Sequence, residues 1–354
     1  MRTRKEIEYA LQAGNLMYEC LETDEGGWAL AVPELGAKVL AAGVDRESLF
    51  WVNPLLEKGA WCVGGQRTWL APELGNRGFF GTNAEDWRVP PQLDPGSYRR
   101  IETANGELAL RCDLAIDRMD GRAFALGIVR SFRVESVSVG ASEPALQIRV
   151  GNRLINRMDR TLEEEVGLWN IIQAPARHTG TFLIPLKSSR PPQPDGKAWR
   201  LYFGDLPTDW VSETPNLLYI RARAGRWFKI GIPPAAASGT LGFLRPSRVD
   251  DGPDLRHTLI VMRSAVEPAA HYIDKPPHQA AGNGDALQCY NSPEKRKLNF
   301  CELEAHAPAS ALGPGVEQSG HITILLFKAG PDELRRVAGR LLSRELDTER
   351  LFLD

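Results

Sequence analysis

From about residue 14 to residue 330 the apolar positions come in short runs, broken by Gly, Pro, Asn and Asp, and almost nothing holds a helical period beyond two turns. This is the texture of β-strands. The runs include WALAVPEL (28–35), KVLAAGV (38–44), ELALRCDLAI (107–116), FALGIVRSFRV (124–134), ALQIRVGNRLIN (145–156), TGTFLIPL (179–186), LLYIRARAG (217–225), WFKIGI (227–232), HTLIVMRS (257–264) and HITILLFK (321–328). In the 145–156 run, Leu146, Ile148 and Val150 alternate with Gln147 and Arg149, which predicts a strand wet on one face. The 323–327 run, TILLF, is apolar on both faces and predicts a central strand. Two stacked antiparallel sheets satisfy both patterns.

Helical spacing is confined to the ends. Residues 2–13 predict a short helix with Ile7, Leu11 and Tyr9 inward. From Pro331, the spacing of Leu334, Val337, Leu341 and Leu346 predicts a C-terminal helix over 331–350, with Asp332 and Glu333 in the first turn, where the macrodipole favours them. The Pro-rich stretches 188–199 and 275–285 are loops on turn chemistry, and no internal repeat points to a solenoid or propeller.

Composition narrows the function classes. Apolar residues make up 43% and charged residues 25% of 354, as in globular proteins with a sizeable core. One domain over 1–354 is expected, since large β-sandwiches run past 200 residues as single units. Lys plus Arg number 43 against 45 Asp plus Glu. No global field therefore attracts nucleic acid or an anionic membrane, and a neutral polar small molecule is the expected partner. The five cysteines are widely separated, without the close pairs of zinc sites. Free thiols and no metal are expected. The N-terminus has Glu6, Glu8 and Gln12 where an export signal needs an unbroken apolar run, and no stretch approaches the roughly 20 apolar residues that span a bilayer, so a cytoplasmic address is expected. Motifs for nucleotide binding, for a nucleophile elbow and for HExxH zinc are missing, and no cofactor is implied.

Three stretches carry candidate chemistry. In GGQRTWLAPELG (64–75), Gly64 and Gly65 permit a tight or positive-φ approach, while Arg67, Trp69 and Glu73 gather a fork of donors, a flat aromatic and an acceptor. Sugars ask for that set, because their C–H faces stack on indole and their hydroxyls bond to guanidinium and carboxylate; a turn with a core Trp and a surface ion pair has the same composition. In EEEVGLWNIIQAPARHTGTFLIP (163–185), Trp169, Asn170 and Gln173 precede Pro175, and Arg177 and His178 follow. The acidic run 163–165 reads as a solvated edge. In NFCELEAHAPASALGPG (299–315), Glu302, Glu304 and His306 share one face of a strand while Cys301, Leu303 and Ala305 take the other. That face is either a wet sheet surface or the floor of a site. Held close and partly desolvated, the two glutamates would push their pKa values apart and leave one carboxylate able to accept a proton near neutrality. Among nine tryptophans, Trp61, Trp69, Trp87, Trp169 and Trp210 sit beside Gly, Asn or Glu.

In content and order these stretches resemble the galactose mutarotase-like superfamily, the β-supersandwich of the aldose 1-epimerases, over roughly residues 15–330. VPELGAKVLAAGVDRESLFWVNP resembles its early hairpin and GGQRTWLAPE its arginine-bearing loop. IRVGNRLINRMDRTLEEEVGLWNII is similar to its central strand pair, and YNSPEKRKLNFCELEAHAPASALGPG to the late strand with the catalytic glutamate, before the closing HITILLF. The pattern GG.R.W.APE, LWN, E.E.H.P is shared with divergent members of unassigned function. The resemblance implies an all-β antiparallel supersandwich with a monosaccharide or small glycoside in a groove on one sheet. It implies Glu304, or Glu302 by a two-residue register choice, as general base and Arg67 as the binding arginine; Trp69, Glu73, Trp169 and Asn170 are the further residues expected to bind the sugar. Where the epimerases carry an Asn-His pair, this chain has Leu168, Trp169 and Asn170. A general acid must then come from His306, His178 or His271. Three functions follow: epimerase-like chemistry at the anomeric centre, sugar binding or sensing without catalysis, and a lyase or hydrolase using Glu302 and Glu304 as an acid pair. Histidines outside the groove would favour the second. The sugar and the oligomeric state are not encoded legibly.

Overall fold

The computed structural model describes residues 1–59, 62–103, 107–139, 145–163, 166–189, 196–246, 256–279, 282–293, 298–343 and 345–351. Trp61, Glu164, Glu165 and parts of both Pro-rich loops lie outside the described residues.

Among these, two large antiparallel sheets dominate. The first has nine strands, in the order Glu19–Glu22, Trp28–Val32, Lys38–Gly43, Gln66–Ala71, Gly167–Pro175, Phe300–His306, Leu287–Asn291, Phe228–Ile232 and Arg200–Gly204. The second has eleven and is centred on Ile322–Ala329, which pairs with His257–Ser264 on one side and Ala145–Asn156 on the other. The apolar 323–327 run is thus interior to its sheet, as its two-sided hydrophobicity predicts. Along Ala145–Asn156 the side chains of Leu146, Ile148 and Val150 are buried while Arg149 and Arg153 are exposed, the alternation of a strand covered on one face only.

The sheets pack through their apolar faces. Ile172, Leu303, Cys289 and Ile230 of the first sheet share one core with Ile148, Phe182, Phe243 and Leu326 of the second. Because side chains alternate, the opposite face of the first sheet carries Arg67, Trp169, Glu302 and their neighbours, so the packing of the core dictates which side chains look outward.

The terminal helices cover remaining apolar surface. Helix Arg4–Ala13 starts with a capping box between Thr3 and Glu6 and buries Ile7, Ala10 and Leu11 against Trp28, Leu30 and Leu40. Tyr9 points away from this contact and is 72% exposed. It lies two residues from Ile7 and from Leu11, about 200° around the helix, so the inward expectation for it fails. The C-terminal helix is Pro331–Leu341, shorter than the expected 331–350, with a separate short helical turn at Thr348–Arg350. Its Leu334, Val337 and Ala338 pack on Leu259, Val261 and Leu325 of the second sheet. No helix among the described residues is long and apolar enough to cross a membrane.

Candidate functional site

The outward face of the first sheet holds a cavity of about 380 Å³. Five adjacent strands form its floor, and the register fixes who faces whom. Arg67 and Trp69 of Gln66–Ala71 stand opposite Ile171 and Trp169. Trp169, Ile171 and Gln173 in turn stand opposite His306, Glu304 and Glu302, and Glu302 faces Tyr290, which faces Lys229. All these positions share one parity, so the face is set by strand periodicity alone.

Entry into the Gln66–Ala71 strand depends on two glycines. Gly64 and Gly65 have φ of 104° and 80°. A Cβ would lie 2.1 Å from the Trp51 carbonyl oxygen at Gly64 and 2.5 Å from the Val39 oxygen at Gly65. Only glycine lets the chain pass here and deliver Arg67 to the floor.

Two buried charge clusters line the cavity. In one, Arg67 Nη2 donates to Glu302 Oε1 at 2.7 Å, and Gln173 Nε2 donates to the same oxygen at 2.8 Å. The Arg67 guanidinium lies 4.0 Å from the centre of the Trp69 ring, a cation–π contact in a desolvated place. Trp69 is itself fixed by its indole N–H, which donates to Asp94 Oδ2 at 2.9 Å, while Asp94 pairs with the buried Lys38 at 2.8 Å.

In the other cluster a single ammonium serves two carboxylates. Lys229 Nζ donates to Glu73 Oε2 at 2.7 Å and lies 3.1 Å from Glu304 Oε2. The indole N–H groups of Trp87 and Trp169 complete the set, donating to Glu73 Oε1 at 3.0 Å and to Glu304 Oε2 at 2.7 Å. Lys229 also sits 4.4 Å from the centre of the Trp169 ring. Burial pushes the Glu304 carboxyl up to about 8, with Glu302 and Glu73 adding to the rise and Lys229 opposing it. Glu73 is likewise raised, by burial first. Burial alone would lower Lys229, but Glu304, Glu73 and Asp274 hold its ammonium above the ordinary range. One cation between two buried carboxylates favours keeping a proton on the pair near neutrality.

The candidate residues divide accordingly. Arg67, Trp69, Glu73, Trp169 and Glu302 line the cavity. Glu302 and Glu304 are only 7% and 0% exposed, so the wet-surface reading of their strand fails. Glu304 lies beneath the floor, held by Lys229 and Trp169. His306 is buried behind Trp169, its ring stacked on the indole with centroids 5.6 Å apart, and burial drives its pKa down to about 4. As a neutral imidazole outside the lining it does not reach the cavity, contrary to its expected role as acid. His178 falls in the turn after Pro175 and is not part of the lining either, and His271 borders a different hollow beside Arg77 and Lys275. Asn170 faces the other way. Its Oδ1 accepts from Thr68 Oγ1 at 2.9 Å and from Asn152 Nδ2 at 2.8 Å, tying the two sheets together, because alternation puts it opposite to Trp169. Glu304 Oε1, Gln288 Oε1 and both ring nitrogens of His306 have no hydrogen-bond partner among the described residues.

Sequence reasoning missed Lys229. The signal was present in WFKIGI, where one cation interrupts an otherwise apolar strand. It also missed the outer wall, made of Phe203, Trp227, Tyr290 and Phe300.

The chain belongs to a family of unknown function (DUF6786), whose model matches residues 10–351. No curated protein matches it. Among solved structures, a putative aldose 1-epimerase from Escherichia coli K12 superposes over 88% of this chain and 99% of its own, with TM-score 0.54 and 14% identity. The Slr1438 protein from Synechocystis sp. PCC 6803 superposes over 88% and 95%, with TM-score 0.51 and 15% identity. The chain therefore has the galactose mutarotase-like fold, an antiparallel β-supersandwich, and the likeness at such identities is one of fold.

Proposed function

We propose that the cavity binds the pyranose ring of a carbohydrate. One observation carries this reading: the Arg67–Glu302 pair and the Lys229–Glu73–Glu304 cluster converge on a single cavity walled by Trp69, Trp87 and Trp169. Indole faces take the apolar C–H side of a sugar. Fixed charge pairs that are neutral as pairs offer donors and acceptors to hydroxyls without attracting an ion. The volume lies within the range of small-molecule sites. The fold shared with a putative aldose 1-epimerase supports the ligand class by analogy only.

A second reading, epimerase-like chemistry at the anomeric carbon, draws on one further feature. Both protein hydrogen bonds to Glu302 end on Oε1, which leaves Oε2 for an anomeric hydroxyl, so Glu302 and not Glu304 is the base in this scheme. Lys229, the cation lining the cavity beside Glu73, would then stabilise negative charge, since among the described residues no histidine lines the cavity. The acid half of ring opening has no imidazole to draw on, and the proton of the Glu73–Glu304 pair sits on carboxylates already engaged by Lys229, Trp87 and Trp169, so sugar binding without mutarotation is the better-supported function.

The test has two arms. Isothermal titration with glucose, galactose and their glycosides is expected to give saturable binding that Arg67→Ala abolishes; no binding by any of them sinks the proposal. Optical rotation of freshly dissolved α-glucose and α-galactose is expected to decay at the uncatalysed rate. Acceleration by the wild type that Glu302→Gln removes would establish the second reading instead.

A further inference from the structure

We infer that Trp227 and Phe203, at the outer end of the cavity, form a second glycosyl subsite, so that the ligand is a disaccharide or the end of a longer chain. This rests on the sugar assignment of the inner cavity. Trp227 is 38% exposed, and single exposed apolar side chains are common enough to need no explanation. This one differs in its setting. Its ring stacks on Phe203 with centroids 4.7 Å apart and planes 25° from parallel, and both rings continue the wall that begins at Trp169 and Lys229. Phe203 also meets Tyr290 edge-on at 6.4 Å, so the slab is braced from behind.

The backbone is built to hold this slab. Gly204 has φ of 86°, and a Cβ there would lie 2.0 Å from the Trp227 carbonyl oxygen. Glycine thus allows the end of Arg200–Gly204 to close on Trp227, the residue just before the neighbouring strand Phe228–Ile232, which is what brings the two rings into register. Polar groups stand at the slab's edge. The Asp205 amide donates to the Trp227 oxygen at 3.0 Å, and Arg226 Nη1 donates to Asp205 Oδ2 at 3.2 Å. A flat apolar platform beside an exposed guanidinium and carboxylate matches a sugar ring, with its C–H face down and its hydroxyls at the rim. Continuity with the inner cavity identifies the occupant as the unit linked to the sugar bound there.

Calorimetric titration of wild type, Trp227→Ala and Trp227→Phe with glucose, galactose, maltose, cellobiose and lactose decides the matter. In the wild type at least one disaccharide is expected to bind about three- to tenfold more tightly than its component monosaccharides, the scale of one aromatic stacking contact. The preference is expected to vanish in Trp227→Ala and to survive in Trp227→Phe. Equal affinity for both lengths in the wild type, or a length preference that persists in Trp227→Ala, overturns the subsite while leaving the inner cavity's assignment standing. Failure of every sugar to bind overturns both.

Discussion

Arg67 and Glu302 are 235 residues apart in the chain and 2.7 Å apart in the fold. Both side chains are nearly sealed from solvent, so each relies on the other to offset the loss of water. Arg67→Ala leaves Glu302 charged and buried with only Gln173 as donor. It is expected to cost about 3–5 kcal/mol of stability, the range for a broken buried pair. Replacing both partners with apolar groups of similar size, as in Arg67→Met with Glu302→Leu, is expected to recover most of that loss. Urea denaturation of the two single variants and the double variant measures it, and additive losses would deny the coupling.

Lys229 holds Glu73 and Glu304 together. In Lys229→Met the two carboxylates face each other without a cation, and at least one must stay protonated for the fold to persist. The variant is expected to be destabilised far more at pH 8 than at pH 5. Thermal melting at both values would show it, and an equal loss at the two would mean that Lys229 is a packing residue only.

The pH dependence of the wild type has a sign that follows from three groups. His306, lowered to about 4 by burial, takes up a proton more readily when unfolded, so it makes stability rise with pH up to its ordinary 6.5. Asp285, raised to about 6 by burial, works in the opposite sense between 3.8 and 6. Glu304, raised to about 8, keeps its proton in the fold and loses it in the unfolded chain from pH 4.5 upward. Between pH 6.5 and 8 only Glu304 of these three still contributes. Stability is expected to fall there, with a slope on the order of 1 kcal/mol per pH unit, and Glu304→Gln should flatten that limb in a series of chemical denaturation curves.

The fold was largely legible because strand alternation is a local signal. Glu302, Glu304 and His306 share a face in the sequence by counting in twos, and they share it in the structure. Parity, however, does not say which face of a fully buried strand meets the ligand. All residues of Gly167–Pro175 except its last are buried, so Trp169 and Asn170 were equal candidates until pairing with Trp69 and Thr68 fixed their directions. Depth was equally hidden. His306 and Glu304 lie on the correct face, yet Trp169 covers the first and Lys229 holds the second below the floor, relations that depend on partners more than 70 residues away. The aromatic outer wall joins segments near 203, 227, 290 and 300, which no local pattern links.

Asn170 offers the sharpest separation of structural from ligand-binding roles. Its carboxamide oxygen accepts from Thr68 and from Asn152, and Asn152 Nδ2 also donates to the Gly320 carbonyl at 3.0 Å. Asn170→Ala removes an acceptor from the buried Asn152 amide between the sheets, while the Thr68 hydroxyl can turn to Asn152 Oδ1 at 3.0 Å. Stranding buried polar groups costs about 1–3 kcal/mol, and stability should fall by about that much. Trp169, on the opposite face of the same strand, is expected to hold its place because its N–H remains bound to Glu304. Sugar affinity at a temperature well below the melting midpoint should therefore be unchanged in Asn170→Ala. A titration showing lost affinity in a variant of near wild-type stability would return Asn170 to the ligand and reverse the face assignment on which the site is built.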